Sequence, residues 1–356
     1  MITDSAKSLL DVVSHPESSE DSIQESTRKY LDEVGHSSLS EIADSMVILA
    51  DGFRLNDPAR AGHVGLVCGA LIERGYDPER VVTPLIDYLR ELLQKSTALS
   101  EACIAQFPKD VQEDVALDEV FAEIREQMAK EMPAETMAWK ALEVMWKPGI
   151  SLLSVSPESR KRAQDLSQWS SRIAEYHEGG HWLTLMLSVL DNEPLLVIEP
   201  ATQMGIVCRM SGVTDNFQLN VLIMDAFPKR RFFSRRRVSS SAVSIARGEG
   251  PQQSSEILYG KWNLYSWRAL ATDNSLPNPD DPTSRTNWIW NEGIPSDIPV
   301  FDGFRVVLLG PLSYMRMWPS QRTFARLNAR LTVDEVLAKE DVASWLQRMM
   351  EQKTHA

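Results

Sequence analysis

The sequence predicts an α+β protein, with a helical N-terminal half followed by a mixed, strand-rich C-terminal half that ends in a helix. Three observations predict this class. Apolar residues recur at helical spacing up to about Asp191. Beyond that residue, short β-rich runs stand between Gly, Pro, Asn and Asp. Residues 340–350 are again amphipathic with a helical period.

The N-terminal half is expected to begin with an acidic, Ser-rich and flexible segment over residues 1–22, followed by helices. Asp77 and Pro78 supply the cap and the first position of one helix, and Pro133 and Pro148 are expected to end two others. The expected helices are 39–53, 63–74, 77–94, 110–132, 135–146 and 156–190, the last with at most one break.

The C-terminal half is expected to contain several short strands, a long loop at 273–287 and a final helical region that opens at 332–335. The expected strands are 194–199, 205–210, 218–224, 262–267 and 305–309. The predicted organisation is therefore a flexible segment (1–22), a helical domain (23–191) and an α+β domain with tryptophan-rich strands (192–356).

Composition narrows the class of protein. With 43% hydrophobic and 24% charged residues among 356, the chain is globular, and no apolar run is long enough to cross a membrane. Three scattered cysteines and the lack of a secretory signal predict a cytoplasmic protein without disulfides. The net charge of −13 argues against nucleic acid as a partner.

One short motif carries recognisable chemistry. Residues His177-Glu178-Gly179-Gly180-His181 fit the pattern H-E-x-x-H. On a helix, positions i and i+4 share a face, so both imidazoles can bind one tetrahedral metal ion. The glutamate between them can then take a proton from a metal-bound water.

The motif resembles the active-site helix of the zincin metallopeptidases, over about a dozen residues around 177–183. The resemblance implies a zinc ion held by His177 and His181, with Glu178 as general base and a peptide or protein as substrate. A metzincin continuation is absent, because Thr184 stands where that pattern has Gly. Among downstream acids, Glu199 is the best candidate for the third ligand.

An alternative local structure stays open at the same residues. Two consecutive glycines in a helix cost roughly 2 kcal/mol relative to two alanines. Gly179 or Gly180 could therefore close one helix, with His181 opening the next. Across such a break the two histidines need not share a face, and they would make ordinary hydrogen bonds.

Two further features suggest binding. Residues 229–247 contain seven bases and no acid, which predicts a site for an anionic partner or a solvated loop. The C-terminal half is rich in tryptophan, which suits either a core or a binding cleft. These tryptophans are Trp262, Trp267, Trp288, Trp290 and Trp318.

The leading functional hypothesis is a metal-dependent hydrolase, specifically a zinc peptidase. The main alternative is a non-enzymatic protein-interaction protein with a helical domain and an aromatic-rich β domain. A ferritin-like di-iron oxidase ranks third, because two E-x-x-H pairs are present at 33–36 and 178–181.

Overall fold

The computed structural model describes residues 1–108, 117–228 and 238–355. The chain divides into two compact units, Met1–Leu187 and Ser188–Ala356. The boundary lies close to residue 191, where the sequence pattern changes from helices to strands. The first unit is helical and the second contains all described strands, which confirms the α+β class.

The first unit contains ten α-helices within its described residues. They are α1 (Ile2–Ser14), α2 (Glu20–Val34), α3 (Leu39–Ala50), α4 (Pro58–Glu73), α5 (Glu79–Ile104), α6 (Leu117–Met128), α7 (Pro133–Val155), α8 (Pro157–Arg162), α9 (Ser167–Ile173) and α10 (Glu178–Leu187). None of the described helices combines the length and apolar composition that crossing a bilayer requires.

The prediction of a flexible segment over residues 1–22 is wrong. Residues 2–14 form α1, which packs against α2 and α3. Its apolar side chains at Ile2, Ala6, Leu9 and Val13 follow helical spacing and are buried, while the acids and serines that suggested disorder lie mainly on the other face. The spacing of the apolar residues, and not the polar composition, therefore determines the structure of residues 2–14, because four buried apolar side chains suffice to dock a short helix.

Helix α7 is the centre of the first unit and contacts α4, α5 and α10. It continues through Pro148, where the sequence predicted an end. Glycines on α4 allow α4 and α7 to approach closely. A Cβ atom at Gly62 would lie 2.6 Å from Val144 Cγ1, and one at Gly69 would lie 3.2 Å from Pro148 Cα. Packing on both sides therefore offsets the helix-breaking tendency of Pro148.

The second unit combines eight strands with three α-helices in the described residues. They are β1 (Glu193–Glu199), β2 (Met204–Ser211), α11 (Asn216–Ala226), α12 (Ser240–Arg247), β3 (Gln253–Tyr259), β4 (Asn263–Tyr265), β5 (Val300–Phe301), β6 (Phe304–Gly310), β7 (Met317–Gln321), β8 (Arg330–Val336) and α13 (Lys339–His355). The main sheet has the order β4-β6-β1-β2-β8, with β5 paired to β6, and β3 pairs with β7 in a separate ribbon.

The main sheet is buried on both faces around β1, which pairs parallel to β6 and antiparallel to β2. Leu195 and Val197 point into a core shared with α11 and α12. Leu196 and Ile198 point into a second core shared with α13. Because successive side chains of β1 point to opposite faces, β1 contributes to both cores. The unit therefore has three layers, with the sheet between helices on either side.

Two local predictions in the second unit are wrong. Residues 218–224 form part of α11 rather than a strand: the Asp215 carboxylate accepts a hydrogen bond from the Gln218 backbone N–H (2.8 Å) and caps the helix, whose apolar run is buried almost all round. Residues 332–335 belong to β8 rather than a helix, because they pair with β2 at the edge of the sheet.

Candidate functional site

The H-E-x-x-H motif begins one residue before a helix. Helix α9 ends at Ile173, the chain turns, and α10 begins at Glu178. His177 is the cap residue of α10, since its carbonyl accepts the first helical hydrogen bond from the His181 N–H (3.0 Å). The break therefore precedes the two glycines instead of falling between or after them.

The His177 side chain completes this cap. Its Nδ1 accepts hydrogen bonds from the backbone N–H groups of Gly179 (2.9 Å) and Gly180 (3.3 Å). Its Nε2 lies 3.1 Å from the carbonyl oxygen of Trp139 on α7. A carbonyl only accepts, so Nε2 carries the proton and Nδ1 carries the lone pair. The ring is therefore the neutral Nε2–H tautomer.

Burial enforces this protonation state. The His177 side chain is 4% exposed and its ring stands edge-on to Trp139 at 4.5 Å. Burial lowers the pKa of His177 to about 4, because the imidazolium form would lose its hydration. The hydrogen bond to the Trp139 carbonyl opposes this shift but is outweighed. Since both ring nitrogens already have partners, the imidazole has no lone pair to give to a metal ion.

The other two motif residues face solvent. His181 and Glu178 are exposed, and the Glu178 carboxylate accepts a hydrogen bond from Trp182 Nε1 (3.3 Å). They line a shallow depression of about 310 Å³ together with Asp118, Arg125 and Tyr176. The aromatic wall of this depression is built by Tyr176 stacked on Phe121, with ring centroids 4.3 Å apart.

Glu199, the predicted third ligand, lies at the end of β1 in the second unit. Its Oε1 accepts a hydrogen bond from Trp262 Nε1 (2.8 Å), and its Oε2 accepts one from Thr202 Oγ1 (2.5 Å). The carboxylate thus fixes the first turn after β1. Throughout the described part of the chain, no three His, Cys, Asp or Glu side chains are arranged to hold a metal ion.

The residues suggested for a di-iron site are also separate from any buried cluster. His36 follows the end of α2, is exposed, and places its Nδ1 2.9 Å from the Asp32 carbonyl oxygen. A ferritin-like site needs inward-facing ligands in mid-helix. Neither His36 nor His181 meets that requirement.

The basic stretch lies only partly within the described residues. Residues 229–237, which hold six of its seven bases, lie outside them. The described remainder forms the start and body of α12, where Arg247 pairs with Asp225 at 2.9 Å. The anionic partner of this stretch stays a prediction.

The tryptophans of the second unit mostly belong to its cores. Trp267, Trp288 and Trp318 are buried, whereas Trp290 is 43% exposed. A different set of apolar side chains, absent from the sequence prediction, faces solvent on the β3–β7 ribbon and just before β7. We call Ile257, Tyr259, Met315 and Met317 the apolar face; their exposed fractions run from 42% to 65%.

The apolar face is continuous. Tyr259 and Met317 are cross-strand partners, and Ile257, Tyr259 and Met315 line one depression of about 500 Å³. The alternation Met315-Arg316-Met317-Trp318 was a usable sequence signal, because in an extended segment it places the two methionines on one side and the other two residues on the opposite side.

No protein-family model, no curated protein and no solved structure matches the chain. Its function is therefore inferred from side-chain geometry.

The glycine pair of the motif has a packing role that a substitution can test. A Cβ atom at Gly180 would lie 2.6 Å from Ile173 Cγ1 and 3.2 Å from the Ile173 carbonyl carbon. Alanine is favoured over glycine in a helix by about 1 kcal/mol, but overpacking against backbone costs about 1–3 kcal/mol. We expect Gly180→Ala to lower the free energy of unfolding by about 1–2 kcal/mol, measured by urea denaturation.

Gly35 is the matched control for this substitution. It has a right-handed φ of −65° and its nearest contact to an added Cβ would be 3.6 Å away. Gly35→Ala is expected to leave stability unchanged or slightly raised. A Gly180→Ala variant as stable as Gly35→Ala would show that Ile173 does not limit the space at the start of α10.

Proposed function

We propose that the chain is a non-enzymatic protein-binding protein, and that its apolar face docks an extended segment of a partner protein. The observation that carries the proposal is the apolar face itself. Four large apolar side chains are at least 42% exposed, three on one two-stranded ribbon and Met315 two residues before its second strand. Contiguous exposed apolar groups of this kind favour protein–protein contact, because their burial releases ordered water.

The ribbon also supports the extended form of the partner. Within the described residues, β3 and β7 pair only with each other. A strand edge without a neighbour can accept an added strand through backbone hydrogen bonds, while side chains at alternate positions enter adjacent pockets. The depression lined by Ile257, Tyr259 and Met315 runs beside residues 256–261 of β3 and its following turn, so an apolar side chain of the added strand has a place to insert.

The geometry of the motif supports the non-enzymatic class over the zinc peptidase. A zincin needs one free nitrogen on each of two imidazoles on a common face. In this chain His177 is turned inward as a helix cap, with both nitrogens engaged, while His181 faces solvent. The donor set does not fit a zinc ion, and we derive no hydrolytic step from it.

A peptide selection tests the proposal. Random peptides displayed on phage are selected against the full chain, and the binders are measured by fluorescence anisotropy. We expect apolar peptides of extended character, bound at least tenfold more weakly by an Ile257→Lys/Met317→Lys variant, because two charges would be placed in the apolar contact. Both side chains are exposed, so the free energy of unfolding should change by less than about 0.5 kcal/mol per site.

Val300→Lys provides the matched control. Val300 is also an exposed apolar side chain on a strand of the second unit, but it lies outside the apolar face. This variant is expected to bind the selected peptides as the wild type does. Binding that is indifferent to the double substitution, or a selection that yields no binder, would contradict the proposed function.

A further inference from the structure

Arg316 is a buried cation with no counter-ion among the described residues. It lies immediately before β7 and is 7% exposed. No described carboxylate forms an ion pair with it, and its Nε and Nη2 atoms are buried with no hydrogen-bond partner among the described residues. Leaving donors of a buried charge unpaired is costly, so this arrangement calls for an acceptor that the described residues do not supply.

Aromatic rings fix the position of the guanidinium group. Its Cζ lies 4.8 Å from the ring centroid of Trp288, 5.3 Å from that of Tyr314 and 5.7 Å from that of Trp290. Such contacts stabilise a cation through the ring faces, but they leave the in-plane N–H groups without acceptors. Trp290 and Tyr314 are 43% and 52% exposed, so the cluster reaches the protein surface.

Other polar groups close to Arg316 in the sequence or in contact with it also lack hydrogen-bond partners among the described residues. Within the described part of the chain, Trp288 Nε1 is buried without a hydrogen-bond partner, and so is the hydroxyl of Ser313, three residues before Arg316 in the sequence. An indole N–H only donates, and a guanidinium only donates. The described cluster therefore has a surplus of donors, which a ligand rich in acceptor oxygens would satisfy.

We propose that the cluster of Arg316, Trp288, Trp290 and Tyr314 is a binding site for a carboxylate joined to an apolar group. A guanidinium group offers coplanar pairs of N–H donors, which match the two oxygens of a carboxylate in a bidentate pair. The exposed rings of Trp290 and Tyr314 would contact the apolar group.

The charge of the site favours a monoanion. Arg316 supplies one buried positive charge. Arg285 also lies over the Trp288 ring, at 5.9 Å, but it is exposed and its field is screened by solvent. A phosphate dianion would demand a second buried cation, so carboxylate is the better match. This site and the apolar face rest on different side chains, and either can fail alone.

Calorimetric titration of the full chain tests the site, with ligand-observed NMR for weak binding. The probes are phenylacetate, its neutral analogue phenylacetamide and inorganic phosphate. We expect phenylacetate to bind one to one and the other two to bind at least tenfold more weakly. Arg316→Leu should weaken phenylacetate at least tenfold. Arg316→Lys should retain part of the affinity, because an ammonium group keeps the charge but cannot form the bidentate pair with a carboxylate.

Arg268→Leu is the control variant, since Arg268 is an exposed arginine over the Trp267 ring in the same unit. It should bind phenylacetate as the wild type does. Thermal unfolding supplies a second measurement: removal of an unpaired buried charge should leave Arg316→Leu at least as stable as the wild type. If that variant does not fold, the lysine variant and the amide probe still decide the question.

Three results would overturn the carboxylate site. One is binding of phenylacetate that is unchanged in the folded Arg316 variants. Another is equal affinity for phenylacetate and phenylacetamide, or tighter binding of phosphate. The third is no detectable binding of phenylacetate at millimolar concentration.

Discussion

Replacing His177 with alanine is expected to lower the free energy of unfolding of the first unit by about 3 kcal/mol. Three losses contribute. The cap of α10 is worth about 1 kcal/mol, the Trp139 carbonyl is left buried without its donor at about 1–3 kcal/mol, and the missing ring leaves a cavity. His181→Ala removes an exposed side chain and should change stability by less than about 0.5 kcal/mol.

Urea denaturation followed by far-UV circular dichroism measures both variants. His177→Asn is the informative intermediate, since its amide oxygen can still accept from the Gly179 N–H while the contact to Trp139 is lost. Amide hydrogen exchange at Gly179 and Gly180 reports the cap directly, and it should accelerate in His177→Ala. Equal destabilisation by the His177 and His181 substitutions would contradict the capping role.

The effect of zinc on the unfolding midpoint distinguishes the capping role of His177 from the peptidase hypothesis. A ligand that binds only the native state raises the unfolding midpoint. Equimolar zinc is expected to leave the midpoint of the wild type unchanged. A rise that disappears in both His177→Ala and His181→Ala would show that the two imidazoles bind metal together, and it would overturn the assignment of His177 as a cap.

Acidification is expected to destabilise the first unit by about 3 kcal/mol between pH 6.5 and pH 4. The pKa of His177 falls from 6.5 to about 4 on folding, chiefly through burial, with a smaller lowering from the charge of Arg125 and an opposing effect from Glu178. Below pH 6.5 the unfolded chain takes up a proton that the folded chain refuses. Stability is therefore complete above pH 6.5 and is lost as pH falls towards 4.

The measurement compares the wild type with His177→Asn at several pH values from 7.5 to 4. Burial also lowers the pKa of His63, and ion pairing lowers those of Glu91 and Asp165, so these groups change the stability of both proteins. The difference between the two proteins isolates His177. The wild type should lose its advantage progressively below pH 6.5. A difference that stays constant across this range would show that the buried ring is already charged or already solvated.

The sequence predicted those features that depend on local periodicity. The change of pattern near residue 191 lies close to the boundary between the units, and the amphipathic run at 340–350 lies within α13. Composition misled at residues 2–14, where polar residues cover the outside of a docked helix. Local pattern also failed at 332–335, because only pairing with β2 determines that this acidic run is an edge strand.

The motif shows why a residue pattern is insufficient for a metal site. H-E-x-x-H specifies spacing, but the shared face of its histidines requires both to lie inside one helix. Here the helix begins after the first histidine, a consequence of the turn after Ile173 and the contact with Trp139 on α7. The Arg316 cluster could not be predicted from the sequence for a related reason. Trp288 and Arg316 are far apart in the sequence and come into contact only when the loops around β6 have folded.

The parallel pairing of β1 with β6 has a consequence for the order in which the chain folds. β1 ends at residue 199, whereas β6 begins at residue 304, so the central pair of the sheet closes a very long loop. During synthesis, the β1–β2 hairpin emerges with both of its outer edges unpaired, and β6 and β8 cover them only after residues 304–336 have been made. The described part of the first unit contains no strand, so it presents no unpaired strand edge. The nascent second unit is thus the part of the protein most exposed to misassociation, and the part for which chaperone protection matters most.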